Sequence, residues 1–281
     1  MQHHSTAGTA LVTGASTGIG ALYADRLARR GHDLVLVARD RGRLEALACR
    51  LRAETGRSAE VLVADLTQDA DLHGVEARLR DDRRIAMLVN NAGMAVAAPL
   101  LAADPDRLEA MVRLNVVAAM RLAVAAAAGF AARGRGTIVN IASVLALAPE
   151  RFNGAYSGTK AFVLNLSQAL QAELEGRGVR VQAVLPGATR TELWERAGTD
   201  IAALPPEMLM GAGEMVDAAL AGLELGEQVT IPSLPDTADW ERLQAARLAL
   251  GPNLSRAHAA DRYRAAAPNR QGAPAGAAPW A

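Results

Sequence analysis

Three side chains in the middle of the chain have the types and spacing to move a proton on or off an oxygen. Tyr156 and Lys160, in "YSGTK", stand four residues apart and so share one face of a helix, one turn apart. Ser143 lies thirteen residues before the tyrosine, at the end of the apolar run "TIVNIAS". A phenol with an ordinary pKa of about 10 exchanges its proton reluctantly near neutrality. A neighbouring ammonium favours the phenolate and eases transfer in both directions. A hydroxyl beside it can donate a hydrogen bond to an oxygen that is gaining negative charge. Each residue alone has an ordinary structural use: a half-buried tyrosine, a surface lysine, a serine that caps a turn. Together they predict acid–base work on a carbonyl or alcohol oxygen, with Ser143, Tyr156 and Lys160 as catalytic residues.

Short apolar runs at 10–13, 33–38, 60–64, 87–90, 137–141, 180–185 and 228–231 read as strands. They are too apolar to alternate in and out, as in a parallel sheet covered on both faces. Between them lie helical patterns at 19–30, 41–54, 69–80, 106–132, 154–175 and 214–223, two of which run into glycines in "GRG" at 134–136 and 176–178. This alternation predicts a doubly wound α/β sheet of about seven parallel strands. In such a sheet ligands lie beyond the carboxyl ends of the strands, where Ser143 would stand. The first strand runs into "TGASTGIG" (13–20). Gly14, Gly18 and Gly20 allow a sharp turn and close approach to a diphosphate, and the N–H groups that open the next helix face the anion. The spacing is G-x-x-x-G-x-G, and its place after the first strand points to a single-domain Rossmann fold that binds a dinucleotide.

With the loop and the Ser143–Tyr156–Lys160 set in hand, the sequence resembles the short-chain dehydrogenase/reductase (SDR) family from about residue 9 to about 232, with the motifs in the family's order. The resemblance implies that Gly14, Ser16, Thr17, Gly18, Ile19 and Gly20 form the cofactor loop. Asp65, in "ADL" with Leu66, would hydrogen-bond the adenine. "NNAG" (90–93) would steady the central strand and bring Asn91 to the adenosine ribose. Tyr156 and Lys160 would also border the nicotinamide ribose, and Asn115 in "LNVVAAM" would hold a water that links the lysine to solvent. Thr191, and the Thr189 backbone, in "PGATRT" would hold the carboxamide or diphosphate. Members selective for NAD carry an acid at the end of the second strand, where this chain has Ala38 followed by Arg39. A guanidinium there can bind a 2′-phosphate through charge-assisted hydrogen bonds, so the expected cofactor is NADP(H). Arg41 or Arg43 would assist, and Asp40 would cap the next helix. Thr17 departs from the pattern, since many NADP-selective relatives carry a second basic residue there.

Lys plus Arg and Asp plus Glu number 30 each in the 281 residues, a balance that gives no reason to expect nucleic-acid or membrane-surface binding. The single cysteine, Cys49, cannot form an internal disulfide and is expected to pack in a helix; no metal site is expected, and the chain reads as cytoplasmic. The apolar stretch 122–132 is too short to span a bilayer. The expected organisation is a flexible start (1–8), a catalytic domain (9–235), a helical extension (236–264) and a disordered tail (265–281). The long connection 188–212 suggests a lid over the substrate, with Leu145, Leu147, Trp194, Leu204 and Met208 as an apolar wall for a moderately hydrophobic carbonyl or alcohol. The resemblance further implies a homodimer or homotetramer through the helices 106–132 and 154–175. Two other readings stand beside a carbonyl/alcohol oxidoreductase: a dinucleotide-binding sensor or scaffold, which would need none of the catalytic residues together, and an epimerase or dehydratase, for which the chain is short.

Overall fold

The computed structural model describes residues 7–263. Most of the expected flexible start and the whole of the 265–281 tail lie outside them. Order is already present at Gly8, whose carbonyl accepts from the Asp33 N–H. The chain divides into two compact units between Ser233 and Leu234.

In the first unit the strands are β1 (Thr9–Thr13), β2 (Asp33–Ala38), β3 (Ala59–Val63), β4 (Ile85–Asn90), β5 (Gly136–Ile141), β6 (Val179–Val184), β7 (Thr189–Arg190), β8 (Met210–Gly211) and β9 (Val229–Thr230). Seven of them form one parallel sheet in the order β3-β2-β1-β4-β5-β6-β9, with β7 and β8 paired apart from it. The order reverses direction between β1 and β4, which opens a crevice at the carboxyl ends of the strands. The helices are α1 (Gly18–Arg29), α2 (Arg41–Thr55), α3 (Asp69–Asp81), α4 (Pro105–Val112), α5 (Ala119–Arg133), α6 (Gly154–Glu173), α7 (Leu193–Ala197) and α8 (Ala212–Leu225). Successive strand residues feed opposite layers, as the pleat requires. Ala10, Val12, Leu34 and Leu36 pack with α1, α2 and α8, while Leu11, Val35, Val37 and Leu88 pack with α3, α5 and α6. The second unit contains α9 (Thr237–Ala249) and α10 (Gly251–Leu254), with the Asp236 side chain capping α9.

Three details correct the sequence reading. The helix expected over 106–132 is interrupted: Arg113–Ala118 is a π-helical turn between α4 and α5. The whole run Pro105–Arg133 is long and apolar enough, by length and composition, to cross a membrane, unlike the stretch 122–132 alone. Leu122, Ala123, Ala126 and Phe130 of that run are buried in the core beneath the sheet, which accounts for its apolar character. Cys49 lies in α2 as expected, but on its exposed side, because Leu44, Leu47, Ala48 and Leu51 take the buried face.

Candidate active site and cofactor cleft

β5 ends at Ile141, and two residues later Ser143 stands at the carboxyl edge of the sheet with extended backbone. Its hydroxyl accepts from the Leu145 N–H at 3.2 Å, which fixes the turn that follows. α6 then brings in the other two groups. Its start is set by Asn153, whose Oδ1 accepts from the Ala155 N–H at 2.9 Å while its Nδ2 donates to the Ala98 carbonyl at 2.5 Å. The cap holds Tyr156 and Lys160 on the helix face turned towards β5. Lys160 Nζ donates to the Ile141 carbonyl at 3.0 Å and lies 5.8 Å from the centre of the Tyr156 ring.

Both side chains are buried, and burial dominates their proton affinities. The Tyr156 phenol is pushed up to about 12 by loss of solvent, opposed by a hydrogen bond with Ser143. Lys160 is pushed down to about 8 by the same cause. Among the protein's own groups, desolvation of the phenolate outweighs the lowering by Ser143, and the lowering expected from the ammonium does not show.

The π-helical turn explains what Asn115 does. Widening the helix by one residue turns this side chain inward, where it is 1 % exposed. Its Oδ1 accepts from the Met94 N–H at 2.9 Å, and its Nδ2 donates to the Met94 carbonyl at 2.8 Å and to Thr159 Oγ1 at 3.1 Å. Asn115 thus pins the segment after "NNAG" to the helix that carries Tyr156 and Lys160. A Cβ on Gly93 would lie 3.2 Å from Asn115 Oδ1 and 3.6 Å from Lys160 Nζ, so the three residues meet at one point.

The glycine-rich turn forms a cradle. Gly14 and Gly18 have φ of 65° and 54°, a region other residues rarely adopt. A Cβ on Gly20 would fall 2.3 Å from the Gly14 carbonyl oxygen, so only glycine lets α1 begin this close to the turn. Thr17, at the N-cap of α1, makes no side-chain capping bond, and the first turn holds no acid. The N–H groups of that turn suit a diphosphate. Ser16, Thr17, Gly18 and Ile19 are half-buried along the turn. Asn91 steadies the cradle, its Nδ2 donating to the Thr13 carbonyl at 2.9 Å and its N–H to Thr13 Oγ1 at 2.9 Å. Thr191 packs against Gly18 from the far side, whereas the Thr189 side chain is buried and turned to the Gly187 carbonyl.

At the end of β2, Arg39 is 75 % exposed, with Nη1 3.8 Å from Asp65 Oδ2. Asp65 accepts from the Thr67 N–H and hydroxyl, which hold its carboxyl below the usual range. Leu66 beside it is a core residue, leaving its backbone to serve a ligand. Asp40 caps α2 as expected, accepting from the Arg43 N–H at 3.0 Å. The two arginines expected to assist are engaged elsewhere: Arg41 pairs with Glu45, and Arg43 donates to Glu192. Among the described residues no cluster of His, Cys, Asp or Glu could hold a metal ion.

Phe152 and Trp194 form an aromatic wall beside the phenol. Phe152 stands edge-on to Tyr156 with ring centres 5.5 Å apart, and Trp194 stands edge-on to Phe152 at 5.9 Å. Leu145, Leu193 and Met94 pack into the same cluster, whereas Leu147 and Met208 are exposed. Phe152 and Leu193 were not singled out in the sequence. Phe152 precedes Tyr156 by four residues but lies outside the helix, so periodicity did not mark it.

A glycine cradle before Ser143, Tyr156, Lys160 and Asn115 on one parallel sheet is matched by a family model described as short chain dehydrogenase, over residues 8–202. The chain belongs to the short-chain dehydrogenase family. The seven-stranded sheet superposes on a short-chain dehydrogenase from Sphingobium yanoikuyae solved in complex with NADPH. That match has a TM-score of 0.89 and 54 % identity, and covers 92 % of this chain and 100 % of the other. A bulky-bulky ketone specific alcohol dehydrogenase from Comamonas testosteroni follows with a TM-score of 0.85 and 49 % identity, over 92 % of this chain and 99 % of that one. Human 17-beta-hydroxysteroid dehydrogenase type 3 is 34 % identical over 195 residues, 68 % of this chain and 62 % of that protein. In several curated relatives of this kind the match spans less than two thirds of their own length. This short-chain dehydrogenase is thus an oxidoreductase by family, and its cleft suits a nicotinamide dinucleotide.

Proposed function

We propose that this short-chain dehydrogenase uses NADP(H) to interconvert a bulky, hydrophobic ketone or aldehyde and its alcohol. The observation that carries this reading is the buried phenol of Tyr156 with Lys160 Nζ 5.8 Å from its ring centre and Ser143 at the adjoining carboxyl edge of β5. When bound, the nicotinamide supplies or takes up the hydride at the carbonyl carbon. Tyr156 gives its proton to the carbonyl oxygen, or takes one from the alcohol. Ser143 donates a hydrogen bond to that oxygen as charge develops on it. Arg39, together with the lack of an acid at Ala38, supports a 2′-phosphate, and the Sphingobium yanoikuyae relative was solved with NADPH. The wall of Phe152, Trp194, Leu145 and Leu193 supports an apolar substrate, in keeping with the bulky ketones named for the Comamonas testosteroni enzyme. An apolar groove between α5 and α6, lined by Val124, Ala127, Ala131 and Leu170, supports a homodimer or homotetramer formed through these helices.

The decisive test is Tyr156→Phe, assayed with NADPH and a panel of ketones graded by apolar bulk. Turnover is expected to fall by about 10²–10⁴-fold, the span of general acid–base catalysis, while NADPH affinity stays near wild type. Retained turnover in this variant would remove Tyr156 from the chemistry. Tight NADPH binding by the wild type without turnover on any carbonyl would favour a sensor.

A further inference from the structure

The segment 191–209 leaves the sheet between β6 and α8 and is tied back by three contacts among others. At its base β7 pairs with β8. Further along, the Ala97 N–H donates to the Ala197 carbonyl at 3.3 Å. The third tie lies on the cofactor side: Arg43 Nη1 donates to both carboxylate oxygens of Glu192, at 3.2 and 2.8 Å, across 149 positions of sequence. Arg196 Nη2 donates to the same carboxylate at 2.6 Å. Arg43 is itself held in place, because its N–H is the group that Asp40 caps and its Nε lies 3.4 Å from the Asp40 carboxylate.

The position of this tie matters more than its strength. Glu192 directly follows Thr191, which packs against Gly18 in the cradle. Arg43 lies in the first turn of α2, four residues beyond Arg39, which stands between β2 and the cap residue Asp40. The bridge therefore runs from the segment that passes Gly18 of the cradle to the helix after β2, on either side of the crevice expected to take a diphosphate and adenosine ribose. On its other side Glu192 leads in two residues to Trp194, whose Nε1 donates to the Thr189 carbonyl at 2.9 Å and whose ring stands against Phe152.

We propose that Glu192 is a positioning residue which, through Arg43, straps the start of the 191–209 segment across the cofactor cleft, slowing nucleotide release and holding Trp194 in the substrate wall. This rests on the cofactor reading above. Each partner holds the other charged: the hydrogen bond lowers the Glu192 carboxyl and raises Arg43.

The test uses Glu192→Gln, Arg43→Gln and the double variant. Release of NADPH and of NADH is followed by stopped-flow fluorescence, and backbone hydrogen exchange in 191–198 is measured on protein without added nucleotide. Each single variant is expected to release both nucleotides about two- to fivefold faster, the range of an exposed ion pair, with faster exchange in 191–198 and a higher KM for ketone. The double variant should be no faster than either single one, because both remove the same bridge. Wild-type release rates in the single variants would overturn the proposal. So would effects that multiply in the double variant. Tighter binding of NADPH alone in Glu192→Gln would mean that Arg43 serves the 2′-phosphate and that Glu192 merely competes for it. If the wild type binds neither nucleotide, the cofactor reading falls, and exchange alone decides the strap: equal exchange in wild type and Glu192→Gln removes it.

Discussion

Replacing Lys160 by methionine should inactivate the enzyme and stabilise the fold. Burial lowers the lysine from its ordinary 10.5 to about 8. At roughly 1.4 kcal/mol per pH unit, holding the charged form in the folded protein at neutral pH costs about 3 kcal/mol. Methionine fills similar space without that charge. It forfeits the bond to the Ile141 carbonyl, a loss of about 1.5 kcal/mol. The net gain is about 1–2 kcal/mol, or a rise in Tm of roughly 2–4 °C per kcal/mol for a unit of this size. The pH dependence separates this cause from generic repacking. Below about 8 both folded and unfolded chains carry a charged lysine, and the wild type bears the full penalty. Between about 8 and 10.5 the unfolded chain binds more protons than the folded one, so wild-type stability gains on the variant as pH rises. Urea denaturation of both proteins at pH 7, 8, 9 and 10 should show the variant's advantage shrinking across this series. An advantage independent of pH, or a variant less stable at pH 7, would refute the electrostatic argument.

Cofactor choice and assembly give two further tests. Ala38→Asp with Arg39→Ala places a carboxylate where the 2′-phosphate would lie and removes its cation. The ratio of kcat/KM for NADPH to that for NADH should reverse, and equal use of both by the wild type would contradict the role given to Arg39. In solution, light scattering should report two or four copies, and Val124→Arg at the exposed edge of the groove between α5 and α6 should shift the mass towards one; a wild-type monomer would exclude that interface.

The parts of this molecule legible in its sequence are those that chemistry confines to a few adjacent residues. Strands covered on both faces must be apolar throughout, so all seven sheet strands were visible before the structure. The cradle needs glycine where a Cβ would strike the Gly14 carbonyl, so Gly20 was visible too. Asp40 capped the helix that its position promised, because a cap is a contact across three residues. Distant contacts left no such trace. The π-helical turn at Asn115 takes its meaning from Met94 and Thr159, and local propensity marks only a poor helix former. Phe152 and Trp194 meet only because the 191–209 segment folds back against Phe152, 42 positions earlier in the chain. Sequence offers Arg43 as a helper to Arg39 at a phosphate, and nothing local marks its pairing with Glu192, 149 positions away.

The proposed catalytic pair, Tyr156 and Lys160, shows the same divide in its energetics. Spacing places Lys160 one turn from Tyr156 and suggests an ammonium that lowers a phenol. Depth of burial, which spacing does not encode, moves the two the other way, the phenol up to about 12 and the lysine down to about 8. As the protein's own groups arrange it, Tyr156 holds its proton at neutral pH, the form that an acid delivering a proton to a ketone requires. Acting as a base on an alcohol asks for a phenolate in a site that disfavours one, and this requires further positive charge beside the ring. Lys160 lies 5.8 Å from that ring with its Nζ bonded to the Ile141 carbonyl, which fixes its distance from the phenol. In the proposed reaction the lysine's contribution to proton transfer would therefore depend on how β5 and α6 pack as much as on its charge.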